Sequence, residues 1–203
     1  MLDRSTLRLV AITDNLSDGI AGLTARAQSA RRGGATMVQL RLPDETTCTL
    51  VAAARALVQA LDVPLIVHGR VDVALAAGAA GVHLGVGDVT ATNARRITGD
   101  GFIIGQSAGT DDELTRTDGA DYVAVGPVFS PAGHRASGTL GLEEFTRLAL
   151  LVSSPVVAIG GISSRTAADV VRAGASGVAL ISGIFGAPDP EQAARTLRSA
   201  IET

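Results

Sequence analysis

Apolar residues fall along this chain in short continuous runs, each set apart from the next by an amphipathic or alanine-rich stretch and a turn residue. The runs at 7–13, 36–42, 64–67, 82–86, 102–107, 122–129, 155–162 and 177–183 are rich in β-branched residues and too short for helices. Parallel strands buried on both faces read this way. Between them lie helical stretches at 23–32, 46–61, 71–79, 91–97, a weak one from Asp112, then 142–151, 165–173 and 190–202. Alternating units joined by short connections predict a parallel sheet, and eight of them fit a closed α/β barrel, the (β/α)8 or TIM barrel, better than an open sheet. Ala77-Gly-Ala-Ala-Gly-Val82, Asp118-Gly-Ala-Asp-Tyr-Val123 and Ala173-Gly-Ala-Ser-Gly-Val178 each stop a helix at glycine and run into the next strand. They are joints of the scaffold and carry no chemistry.

Residues 1–203 read as one such domain, at the short end for eight units. A hydrophobic content of 46% against 18% charged residues suits a large core, and a net charge of −3 gives no sign of a nucleic-acid partner. No apolar run approaches the roughly 18 residues of a membrane span, and Met1-Leu-Asp-Arg-Ser lacks a signal-peptide core, so the expectation is a cytoplasmic protein with no membrane partner. The single cysteine, Cys48, has no partner for an internal disulfide and is expected to be a small apolar filler of a helix. A homodimer through barrel-side helices is compatible with this pattern.

In such a barrel, function sits at the C-terminal ends of the strands. Those ends carry Asp14, Gln39 with Arg41, His68 with Arg70, His83 with Asp88, Gln106 with Ser107, the stretch 126–129, Gly160 with Gly161, and Ser182 with Gly183. Glycines at 160, 161 and 183 remove Cβ atoms that would hold an anion away, at the strands where the barrel's usual phosphate site lies. Arginines that bind phosphate oxygens bidentately beside such a cradle point to an anionic small molecule. The competing reading is that Arg41 or Arg70 pairs with a carboxylate at the rim. His83, within its strand, reads as a satisfied packing residue, and His68, at a strand end, divides evenly between packing and chemistry. His134 lies in the glycine- and serine-bearing loop 130–139, which reads either as a mobile lid or simply as a disordered tip.

Taken together, Val38-Gln-Leu-Arg41, Arg70-Val-Asp-Val-Ala74, Gly81-Val-His-Leu-Gly85 with Asp88, Gly105-Gln-Ser107, Asp121-Tyr-Val-Ala-Val-Gly-Pro-Val-Phe129, Ala158-Ile-Gly-Gly-Ile162 and Gly177-Val-Ala-Leu-Ile-Ser182 resemble the thiamine-phosphate synthase family. They come in that family's order and cover most of the chain. The same superfamily contains the thiazole tautomerases. The resemblance implies a transferase of thiamine biosynthesis acting on small phosphorylated heterocycles. In that reaction a pyrimidine methyl diphosphate loses diphosphate and the resulting cation is captured by the nitrogen of a thiazole phosphate. It implies magnesium with Asp88 as a ligand, and Gln39 and Arg41 on the pyrimidine diphosphate. Ser107 would hydrogen-bond the diphosphate or pyrimidine, and Gly160, Gly161, Ile181 and Ser182 would hold the thiazole phosphate. His68 and Arg70 join the expected substrate-binding set, and Arg41, Ser107 and His134 the catalytic one.

Four positions depart from the family pattern. Pro43 stands where a lysine is usual, His68 and Gly69 replace an asparagine and an aspartate, and His134 stands at the place of a loop lysine. One of two magnesium carboxylates is thereby absent, and the diphosphate half of the site is weakened. The thiazole-phosphate half is intact, so a thiazole phosphate is expected to bind more securely than a diphosphate. A tautomerase-type isomerase or a non-catalytic thiazole-phosphate-binding paralogue is the alternative, although Pro127 stands where a tautomerase histidine is expected.

Overall fold

In a computed structural model of the chain, residues 2–130 and 138–202 are described. Eight parallel strands close on themselves in sequence order: β1 (Leu9–Ile12), β2 (Met37–Leu40), β3 (Leu65–His68), β4 (Gly81–Leu84), β5 (Ile103–Ala108), β6 (Tyr122–Val125), β7 (Val156–Ile159) and β8 (Gly177–Leu180). Closure comes from β8 pairing with β1, Leu9 opposite Val178. A helix follows each strand: α1 (Gly19–Arg32), α2 (Thr47–Ala60), α3 (Val71–Ala77), α4 (Ala91–Thr98), α5 (Asp111–Leu114), α6 (Gly141–Leu151), α7 (Ala167–Arg172) and α8 (Pro190–Ala200). The expected TIM barrel is what forms.

The continuous apolar runs have a direct cause. Val10, Ile12, Met37, Ile66, Tyr122, Val157 and Ala179 fill the barrel interior. Their neighbours Leu9, Ala11, Val38, Leu65, Val67, Val156 and Val178 face the helices. With both faces buried, the two-residue period of the strand leaves no polar alternation to read. Threonines cap three helices, Thr46, Thr90 and Thr110 each accepting a backbone N–H of the first turn.

Most strands are shorter than the apolar runs that predicted them, β3 and β5 excepted. Leu7 closes a 3-10 turn (Arg4–Leu7) beneath the barrel and does not open β1. β6 stops at Val125 because Pro127, joined to Gly126 by a cis peptide bond, has no N–H to continue the ladder. Cys48 is a correction: it is exposed. The buried stripe of α2 is Leu50, Ala53, Ala54 and Leu57, and Cys48, two residues before Leu50, falls on the other face. Residues 131–137, with His134 and Arg135, lie outside the described residues.

The end of β7 is pressed against the loop that follows β6. A Cβ on Gly160 would come 2.6 Å from Pro127 Cα, and one on Gly161 would come 2.3 Å from the Phe129 carbonyl oxygen. Both also have positive φ, 94° and 62°. These two glycines are therefore demanded by the protein's own backbone before any ligand is considered.

Candidate functional site

The interior rows of the barrel change chemistry towards the strands' C-terminal ends. Two residues beyond Met37, Ile66, Gly81 and Gly105 stand Gln39, His68, His83 and Ser107, which the strand period turns to the same interior face. Register makes them neighbours, with His68 opposite His83 and His83 opposite Gly105. Gln39 Nε2 lies 3.0 Å from His68 Nδ1, so the amide donates to that nitrogen and the neutral ring carries its proton on Nε2. Burial, with the nearby Arg41 charge, holds His68 below the usual histidine range, against the opposing pull of Asp88. The His68 and His83 rings stack with centroids 5.8 Å apart.

His83 is 3% exposed and bonded at both nitrogens, Nε2 lying 2.8 Å from Ser107 Oγ and Nδ1 3.0 Å from the Tyr122 hydroxyl. Burial, with a smaller push from His68, drives it down to about 3, so it is neutral. Tyr122, also fully enclosed, has its phenol pushed above the ordinary range by burial. It reaches His83 across β5 because Gly105 lacks a side chain; a Cβ there would lie 2.2 Å from Tyr122 Cζ. The packing reading of His83 is met, but its partner is a candidate catalytic hydroxyl.

The two rim arginines separate. The backbone of Arg41 is pinned by Thr13, whose Oγ1 accepts the Arg41 N–H at 2.9 Å and donates to the Arg41 carbonyl at 3.1 Å. Its guanidinium makes no hydrogen bond or ion pair among the described residues, and its charge is felt at His68. Arg70 instead binds Asp72 at 2.6 and 2.8 Å and Thr47 Oγ1 at 3.1 Å, which is the competing reading anticipated for one of them. Asp14 is likewise committed to Arg26 at 2.7 Å. Gln106 faces outward, accepting the Ala91 N–H at 2.9 Å to hold the start of α4.

Asp88 folds back over the β3 and β4 ends. Its Oδ2 accepts the Gly85 N–H at 2.7 Å, and a Cβ on Gly69 would lie 3.3 Å from the same oxygen. A side chain carried at position 69 would thus stand beside Asp88, and Gly69 supplies none. Among the described residues, no three His, Cys, Asp or Glu side chains gather to hold a metal.

Across the mouth, at the ends of β7 and β8, lies a cavity of about 750 Å³ lined by Gly160, Gly161, Ile181, Ser182 and Gly183. Arg165 is the one charged residue lining it and has no ion pair or hydrogen bond among the described residues. Sequence reasoning missed this cation because it lies four residues past the glycine pair, in a polar stretch that reads as helix. It also missed Tyr122, whose phenol reaches the site only through the gap at Gly105. Beside the cavity, Ser130 Oγ is buried with no hydrogen-bond partner among the described residues.

Comparison with known proteins finds similarity over nearly the whole chain. A family model described as thiamine monophosphate synthase matches residues 9–184. A thiamine-phosphate synthase of Xanthobacter autotrophicus is 44% identical over 201 residues, covering 96% of this chain and 95% of that one. One from a Roseiflexus species is 45% identical over 196 residues, covering 94% of this chain and 83% of its own. Among solved structures, the thiamine phosphate pyrophosphorylase of Pyrococcus furiosus superposes with a TM-score of 0.87 at 35% identity, covering 98% of this chain and 97% of that one.

Proposed function

The chain belongs to the thiamine monophosphate synthase family and is a thiamine-phosphate synthase-type transferase, and from that premise we propose how its barrel mouth divides the reaction. The carbon–oxygen bond of the pyrimidine methyl diphosphate breaks, with the electron pair leaving on the diphosphate. The thiazole nitrogen then supplies the pair for the new carbon–nitrogen bond. Gln39, Arg41 and Ser107 serve the pyrimidine diphosphate, with the neutral His68 contributing a ring N–H. Gly160, Gly161, Ile181 and Ser182 hold the thiazole phosphate, and Arg165 is the cation that faces it. Arg70 stays with Asp72 at the outer edge and orders the rim.

The observation that carries this division is that both half-sites open on one barrel mouth, each with an unpaired arginine. Holding the two reactants side by side replaces a collision by a positioned encounter. Charge gathers on the departing diphosphate, where Arg41 and the Ser107 hydroxyl stand ready to meet it. The isomerase alternative is not favoured, since the near-full-length relatives are named as synthases.

Magnesium fits the donor set in one form only. Asp88 offers one carboxylate oxygen, the other being held by Gly85, and magnesium is commonly bound by one or two carboxylates together with substrate phosphates and water. When bound, the ion would neutralise charge on the diphosphate. No helix among the described residues is long and apolar enough to cross a membrane.

The reading is tested by mass balance with both substrates supplied. Thiamine phosphate and diphosphate are expected in equal amounts. Diphosphate released without thiamine phosphate, or a rearranged thiazole as the only product, would contradict it.

A further inference from the structure

The Tyr122–His83–Ser107 chain has a direction, and hydrogen-bond accounting assigns it. The Tyr122 hydroxyl is enclosed, and His83 Nδ1 is its one hydrogen-bond partner among the described residues. If Nδ1 carried the ring proton and donated to the phenol oxygen, the phenol's own O–H would be buried with nowhere to go. A stranded buried donor costs more than an acceptor with a spare lone pair. Tyr122 therefore donates to Nδ1. The neutral ring, kept so by its burial, then carries its proton on Nε2, which donates to Ser107 Oγ at 2.8 Å.

We propose that Tyr122 and His83 are positioning residues that fix Ser107 Oγ as an acceptor from the protein, so that its own O–H points out of the relay and is offered to the substrate. A serine alone rotates its hydrogen freely and meets an anion as readily with its lone pairs as with its proton. With its inner side already receiving a proton, the Ser107 hydroxyl presents a donor to the diphosphate as charge develops there. Gly105 belongs to the same device, since it alone admits the Tyr122 ring to His83. No proton is transferred along the chain.

The inference rests on the synthase reading for its consequence, but its geometry can be tested without it. Two-bond proton–nitrogen NMR on protein with labelled histidines reports the tautomer directly. Here the His83 proton is expected on Nε2, with Nδ1 unprotonated. A proton on Nδ1 would overturn the inference whether or not the protein makes thiamine phosphate. Rates then test the role. His83→Leu is expected to lower kcat about tenfold or more with little change in KM, and to add nothing in a Ser107→Ala background. His83→Gln, which places an amide N–H near the Nε2 position, is expected to recover part of the loss. Equal losses in both backgrounds, or no recovery by glutamine, would reduce His83 to packing. If no variant and no wild-type sample forms product, the synthase reading fails while the NMR result still decides the direction.

Discussion

Arg41, Arg70 and Arg165 are the same residue type at the same end of the barrel, yet only Arg70 is satisfied, by Asp72. An exposed pair of that kind is worth little to stability, so its effect is mainly to take Arg70 out of competition for ligand. Arg41 and Arg165 have no such partner among the described residues, and each is proposed to meet an anion on its own side of the mouth. Arg41→Ala is therefore expected to raise KM for the pyrimidine diphosphate by about 10- to 100-fold with little effect on the thiazole phosphate, and Arg165→Ala to do the reverse. Steady-state kinetics with each substrate varied in turn checks this. Equal effects on both substrates from either variant would contradict the division of the site. Arg→Lys at either position should recover only part of the loss, because a point charge replaces a bidentate fork.

At the scale of the element, β4, β5 and β6 are built around one gap. Gly105 lets a tyrosine on one strand meet a histidine two strands away, which no pair of adjacent strands would allow. Gly105→Ala must displace the Tyr122 ring, and overpacking of this kind typically costs about 1–3 kcal/mol. Chemical denaturation should show that loss together with a lower kcat. A variant with unchanged stability and rate would mean that the ring has room to spare. All eight strands and eight helices were legible because double-sided burial writes each strand as an unbroken apolar run, and a capping glycine closes α1, α3 and α4. The residues at the strand ends were legible for the same reason, since topology alone makes those positions the mouth. The partnerships were not. That His83 meets Ser107, that Arg70 meets Asp72 and that Arg41 meets no carboxylate all depend on register and rotamer, which a one-dimensional pattern does not carry. Cys48 was misread because an alanine-rich helix offers no clear polar face against which to set its buried stripe.

For the molecule as a whole, the buried His83 and the half-buried His68, both neutral, tie stability to pH. The native pKa of His83 is depressed to about 3 and that of His68 is also depressed, while a histidine in the unfolded chain titrates near its ordinary value of about 6.5. Below that value the unfolded state binds protons that the native state refuses, so stability is full above it and falls as the pH drops towards 3. The slope approaches about 1.4 kcal/mol per pH unit for His83, and His68 adds to it in the same direction. Urea midpoints should fall between pH 7 and pH 5, and His83→Gln should flatten that dependence. A midpoint constant over this range would contradict the assigned burial of charge-averse rings.

One carboxylate, Asp88, one diphosphate-side arginine, Arg41, and an oriented serine, Ser107, are proposed to suffice for coupling. The rate of thiamine phosphate formation against magnesium concentration, for the wild type and for Asp88→Ala, tests this most directly. The expected result is saturable magnesium dependence in the wild type and a loss of about a hundredfold or more in the variant. No product at any magnesium concentration, with the thiazole phosphate still bound, would contradict it.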